Sequence, residues 1–388
     1  MTERMRRWRL ILGGDEADGI GPATGLELGG TDLARDQVLE ALYDGPRRGG
    51  LGSSAPRVAR WLGDIRTYFP SSVVRVMQAD AIDRLGLREL LLEPEMLDSV
   101  QPDLSMVTTL MGLGRAIPER SRESARAVVR AVVDELEDRL AAATRQAVTG
   151  ALDRATRTSR PRHRDIDWNR TIAANLKHYQ PEYRTVVPER LVGNARRTSQ
   201  IDRHVVLCID QSGSMASSIV YSSVFGAVMA SIRSVATRLV VFDTEVVDLT
   251  DQIDDPIDVL FGVQLGGGTD INRALAYCQG LISAPQDTIV VLISDLYEGG
   301  IEDEMLRRAR EMVDAGVTVV ALLALSDDGA PSYDADHAAA LATLGIAAFA
   351  CTPDLFPDLM AAAIERRDIG AWAAANDLVT AAPPEPAD

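Results

Sequence analysis

In the second half of this 388-residue chain, three runs stay apolar on both faces: 204–209, 288–293 and 317–325. A strand with two apolar faces must be covered on both sides. That requirement places it inside a mostly parallel sheet with helices above and below. The surrounding pattern alternates accordingly. Strands are predicted at 204–209, 238–242, 245–249, 288–294, 317–325 and 346–351, and helices at about 217–236, 270–283, 302–315, 335–344 and 354–367. Gly316 and Gly345 stand where a helix must stop before a strand. Asp243 and Thr244 separate two short runs, which reads as a hairpin adding one antiparallel edge strand. The predicted class is α/β, with an all-α N-terminal domain ahead of the sheet.

The first half supports that second element. Val58, Trp61, Leu62 and Ile65 share one helical face before Pro70, and residues 36–43 and 73–82 are further short helical pieces. Between Arg122 and Thr149, Ala125, Val128, Val129, Val132, Val133, Leu136 and Leu140 keep the helical period. The expected organisation is a lead-in segment 1–35, partly disordered and Gly-rich from Gly19 to Gly30, then a helical domain 36–152. An Arg-rich connector 153–203, an α/β domain 204–367 and a largely disordered tail 368–388 follow. Within the connector, 167–177 is predicted as a helix and 182–187 as a strand.

Charge divides the chain. From residue 201 onward there are 9 Arg and no Lys against 29 Asp and Glu, about −20, while the whole chain carries −17. Phosphate contacts need Lys and Arg, so the acidic half is a poor nucleic-acid binder by itself. The basic connector reads either as packing on that acidic domain or as a surface for nucleic acid or an acidic partner. No uncharged apolar stretch of about 18 residues is expected, and the N-terminal run around Trp8–Gly13 is too short and interrupted for a secretory signal. Cys208, Cys278 and Cys351 lie far apart in apolar contexts, as inert thiols of a reducing cytosol would. A cytoplasmic protein with no membrane contact is the expectation.

The chemistry concentrates where strands end. In an open α/β sheet, ligands bind beyond the carboxyl ends of the strands. Three segments should meet there: Asp210-Gln211-Ser212-Gly213-Ser214, the loop Gly266–Asp270, and Ser294-Asp295. Together they offer Asp210, Ser212, Ser214, Thr269 and Asp295, a hard oxygen set suited to Mg²⁺, with Mn²⁺ or Ca²⁺ as alternatives. A serine-hydrolase elbow fails, because residue 210 is Asp and residue 214 is Ser. A phosphate loop fails for want of Lys after Gly266–Gly268. By itself that loop could be a bare helix start with Thr269 as the N-cap. Asp270 reads as a helix-dipole residue, and Asp243 as a structural neighbour or a support for the ligands.

This three-segment pattern resembles the metal-ion-dependent adhesion site (MIDAS) of the von Willebrand factor type A (VWA) domain family, over roughly residues 203–367. The resemblance implies a Rossmann-like fold and assigns Asp210, Ser212, Ser214, Thr269 and Asp295 to the metal. The connector, with Ile166–Leu176 and Tyr183–Val187, is similar to the CoxE-like group of bacterial VWA proteins. For that group the resemblance implies a non-enzymatic adaptor or co-chaperone between a MoxR-type AAA+ ATPase and a client, one of which supplies an acidic residue to the metal. Two other readings stay open: an RNA-binding protein built like the Ro ribonucleoprotein, resting on the Arg-rich connector, and a metal-dependent phosphohydrolase, for which the sequence offers no evident base or nucleophile.

Overall fold

The computed structural model describes residues 28, 30–43, 55–84, 91–155, 157–158, 166–194, 203–263, 267–327 and 332–381. The lead-in up to Glu27, Gly266 of the glycine loop, the end of the tail and parts of the connector lie outside them. The chain packs as two units, Met1–Val132 and Val133–Asp388.

The first unit holds helices α1 (Thr31–Tyr43), α2 (Ala55–Tyr68), α3 (Ser71–Arg84), α4 (Leu104–Leu113) and the start of α5 (Glu119–Ala155). The face predicted for α2 is its buried one: Val58, Trp61, Leu62 and Ile65 are all inside. Trp61 also satisfies its indole N–H on the Val38 carbonyl at 3.0 Å. Helix α5 runs 37 residues, longer at both ends than its apolar stripe required. The division between units falls within it.

In the connector, α6 (Trp168–Ala174) is followed by a 3-10 turn, Leu176–His178, so the predicted helix tightens after 7 residues. The predicted strand shrinks to Thr185–Val186, paired antiparallel with Tyr179–Gln180.

The rest of the second unit is a six-stranded sheet. Its elements are β1 (Arg203–Asp210), α7 (Ala216–Ala230), β2 (Val235–Phe242), β3 (Val246–Asp248), α8 (Pro256–Gly262), α9 (Ile271–Leu281), β4 (Thr288–Ile293), α10 (Glu302–Asp314), β5 (Thr318–Leu325), α11 (Ala335–Thr343), β6 (Ala348–Cys351), α12 (Phe356–Ile364) and α13 (Ile369–Ala375). The strand order is β6-β5-β4-β1-β2-β3, parallel except for the β2–β3 hairpin. Both faces are covered. Val206, Cys208, Val290 and Leu292 meet α9 and α10 residues such as Leu275 and Met305. On α7 and α12, Phe225 and Phe356 stack with centroids 4.5 Å apart.

Three sequence expectations need correction. Strand β2 begins at Val235, so α7 stops at Ala230 and not near 236; Val235 and Thr237 are buried, and pairing with β1 overrides the helical reading. The stretch Gly213–Ala230 is uncharged, long and apolar enough for a membrane span, contrary to the expectation of none. It is 78% buried as the helix covering the sheet, which accounts for its hydropathy. Finally, part of the expected disordered tail is ordered: α13 packs Trp372 on Phe349, ring centroids 6.1 Å apart, and Thr380 bridges to Phe349.

All three cysteines are free and buried. A hydrogen bond with Cys278, together with burial, pushes the Cys208 thiol well up; burial pushes Cys351 up to about 12. Such thiols are unreactive.

Candidate metal centre

Strand β1 lies between β4 and β2, so the chain leaves β1 toward one side of the sheet and β4 toward the other. The crevice at the carboxyl ends of β1 and β4 is therefore the switch point where α/β sheets bind ligands. Asp210 ends β1 there, fully buried. Its Oδ1 accepts the Ser212 amide at 2.8 Å, and its Oδ2 accepts the Ser294 hydroxyl at 2.8 Å. Ser294 is held in turn because its own amide donates to the Leu322 carbonyl at 3.0 Å.

Ser214 Oγ donates to Asp295 Oδ2 at 2.7 Å, and Ser212 Oγ lies 3.1 Å from Ser214 Oγ. The single Ser214 proton is committed to Asp295, so Ser212 is the donor to Ser214. Four of the five sequence-predicted residues thus form one hydrogen-bonded cluster. Thr269 lies on the neighbouring loop, tied in through its backbone: the Gly299 amide donates to its carbonyl at 2.7 Å. Asp270, and not Thr269, caps α9, accepting the Arg273 amide at 2.8 Å. The Thr269 side chain is therefore not used as the cap.

The glycine loop is clamped from two sides. The Asp243 carbonyl accepts the Asp270 amide at 2.8 Å. On the other side Glu298 accepts the amides of Ile271 at 2.6 Å and Gly300 at 2.8 Å. A Cβ on Gly299 would stand 2.7 Å from the Thr269 carbonyl oxygen, so only glycine permits this approach. Leu296 adopts φ 64° while fully buried, a left-handed conformation costly for a branched residue. Its amide donates to Ser294 Oγ at 3.0 Å and its carbonyl lies 2.9 Å from His337 Nδ1. Sequence reasoning missed Ser294, Leu296, Glu298 and His337 as supports. Ser294 alone carried a signal, as a small polar residue directly after an apolar strand.

Burial holds the Asp210 carboxyl above its ordinary range, and the Asp295 charge adds to that; hydrogen bonds from Ser212 and Ser294 oppose it. Nearby Arg273 is turned to Glu245, in a two-pronged pair at 2.9 and 2.7 Å. Two buried carboxylates, Asp210 and Asp295, beside the more open hydroxyls of Ser212 and Ser214 are a hard oxygen set that fits a divalent cation. Among the described residues no three His, Cys, Asp or Glu side chains converge. A metal here would depend on the hydroxyls as much as on the carboxylates.

The family model "VWA domain containing CoxE-like protein" matches residues 140–360. The uncharacterized protein YehP of Escherichia coli (strain K12) is 37% identical over 363 residues, 91% of this chain and 94% of that protein. Among solved structures, an aerotolerance-related membrane protein from Bacteroides fragilis is 14% identical, covering 44% of this chain and 99% of its own, with a TM-score of 0.32. A von Willebrand factor type A protein from Catenulispora acidiphila is also 14% identical, covering 45% and 43%, with a TM-score of 0.33.

Proposed function

The chain belongs to the family of VWA domain containing CoxE-like proteins, and on that premise we propose that it is a metal-dependent protein-interaction module linking a MoxR-type AAA+ ATPase to a client protein. Asp210, Ser212, Ser214, Thr269 and Asp295 would hold Mg²⁺. The ion would supply the positive charge to which a partner's Asp or Glu binds. The protein's own share is orientation: Ser294 and the Ser212 amide fix both oxygens of Asp210, and the Glu298 and Gly299 contacts fix the Thr269 loop. The site is read as one of binding and not of catalysis, and the protein as cytoplasmic.

The observation that carries this reading is the cluster at the β1/β4 crevice, where hydroxyls and two carboxylates meet. The test is Asp210→Ala. Calorimetry should show Mg²⁺ binding by the natural protein and none by the variant, with circular dichroism unchanged. Capture of the AAA+ ATPase should need both Mg²⁺ and Asp210. Equal capture by both proteins, with and without chelator, would refute the proposal.

A further inference from the structure

The connector is built inside out. Among described residues 166–192, only Thr171 and Asn175 are buried, and both are polar. Thr171 Oγ1 bonds the Val192 carbonyl at 3.1 Å and its amide at 3.0 Å. Asn175 Nδ2 donates to the carbonyls of Thr171 and Arg190, both at 2.7 Å, and its Oδ1 accepts the amides of Glu189 and Arg190 at 3.0 and 3.1 Å. Two side chains thus fasten α6 and its C-cap to the irregular stretch 189–192, giving the segment a fixed shape without an apolar core.

Its large apolar side chains lie outside. Trp168, Ile172, Leu176, Tyr179, Tyr183 and Val187 are 44–73% exposed. They are six of the fifteen large apolar residues exposed among the described residues, gathered within twenty positions. Single exposed apolar residues need no explanation, whereas a contiguous group marks an interaction surface. Trp168 and Ile172 share one face of α6 at the i, i+4 spacing, and Leu176 follows in the 3-10 turn.

Charge says what covers it. Lys177, Arg184 and Arg190 are exposed in the same segment, as are Glu182 and Glu189, while Asp167 is paired with Arg170 at 3.6 Å. Residues 153–200 carry 11 Arg and Lys against 5 Asp and Glu, about +6, beside about −20 from residue 201 onward. Packing this patch on its own copy would oppose like charges, which is costly.

We propose that the connector patch is a self-association surface that docks on the acidic C-terminal half of a second copy of this chain. The contact is heterologous, so copies add head to tail. It is independent of the metal site. The test is sedimentation velocity on the full, nuclease-treated chain between about 1 and 100 µM, at roughly 50 and 500 mM NaCl, where screening differs several-fold. At low salt the average mass should rise to about twice 41.9 kDa or more and return to one chain at high salt. Leu176→Glu with Tyr183→Glu should abolish the rise. Lys177→Glu with Arg184→Glu should do so separately, and tests the charge half should the apolar pair misfold. A natural protein that stays monomeric throughout, or association that survives both pairs, would overturn the proposal. So would association seen only in a parallel sample left untreated with nuclease, which would assign the patch to nucleic acid.

Discussion

Replacing Ser294 by Ala separates the hydroxyl that positions the candidate site from those that would meet a ligand. Ser294 is fully buried, donates to Asp210 Oδ2 at 2.8 Å and accepts the Leu296 amide at 3.0 Å. Losing a hydrogen bond to a charged group costs about 1.5–3 kcal/mol, and a buried amide deprived of its acceptor about 1–3 kcal/mol. The two effects share one atom and are not additive, so about 2–4 kcal/mol is expected. For a unit of this size that corresponds to a fall in Tm of roughly 5–15 °C. Ser212→Ala is the matched control: its hydroxyl is partly exposed and bonded to Ser214 at 3.1 Å, so stability without metal should change by less than about 0.5 kcal/mol. Calorimetric titration with Mg²⁺ should show the opposite order, with Ser212→Ala losing affinity although its fold is intact. Thermal unfolding in chelator settles the structural half. A Ser294→Ala melt within about 2 °C of the natural protein would mean that Asp210 is not held as described.

Two further substitutions test the frame around the site. Gly299→Val drives a Cβ against the Thr269 carbonyl and should cost about 1–3 kcal/mol by urea denaturation, with weaker Mg²⁺ binding as the Thr269 loop shifts. Gly280→Ala, where a Cβ meets nothing within 4 Å, should be neutral or stabilising by up to about 1 kcal/mol. His337 supplies a pH dependence. Burial alone would push it down, but the Leu296 carbonyl and the Asp334 and Glu302 carboxylates outweigh that and hold it above its ordinary value of 6.5. Its contribution to stability is therefore complete below pH 6.5 and is lost as pH rises through the raised value. Melts between pH 6 and pH 8.5 or so should show this decline in the natural protein, and His337→Gln should flatten it.

The sheet was legible because it leaves no freedom. Val205–Ile209 and Ile289–Ile293 are apolar on both faces and buried on both, and nothing but a covered central strand accommodates them. Asp210 and Ser294 stand out as polar residues at the ends of such runs. What the sequence concealed depends on contacts between distant segments. Leu296 has no glycine to announce its left-handed turn; the conformation is imposed by Ser294 and His337. Glu298 looks like any surface acid until the Ile271 and Gly300 amides close on it. The division at Val132 gave no signal because one apolar stripe, from Ala125 to Leu140, continues through it. Trp372 among alanines was a sign of order within the supposed tail, outweighed there by the Pro- and acid-rich residues beyond it.

The connector misleads in the reverse sense, and the physical cause is general. Periodicity marks apolar residues as a face, and a face is read as core. Trp168, Ile172 and Leu176 satisfy that rule and are exposed, while Thr171 and Asn175 break it and are buried. The inversion is stable because each buried polar atom of this pair finds a main-chain partner: Thr171 serves Val192, and Asn175 serves Thr171, Glu189 and Arg190. A buried polar group with its bonds made costs little, so the segment can keep its shape and leave its apolar area unspent on its own folding. The crevice at the end of β1 follows a related logic: Asp210 is buried, and its hydrogen bonds come from hydroxyl and amide groups. In both places polar groups are held by specific hydrogen bonds and not by apolar packing, which fixes the geometry of the segment independently of the core.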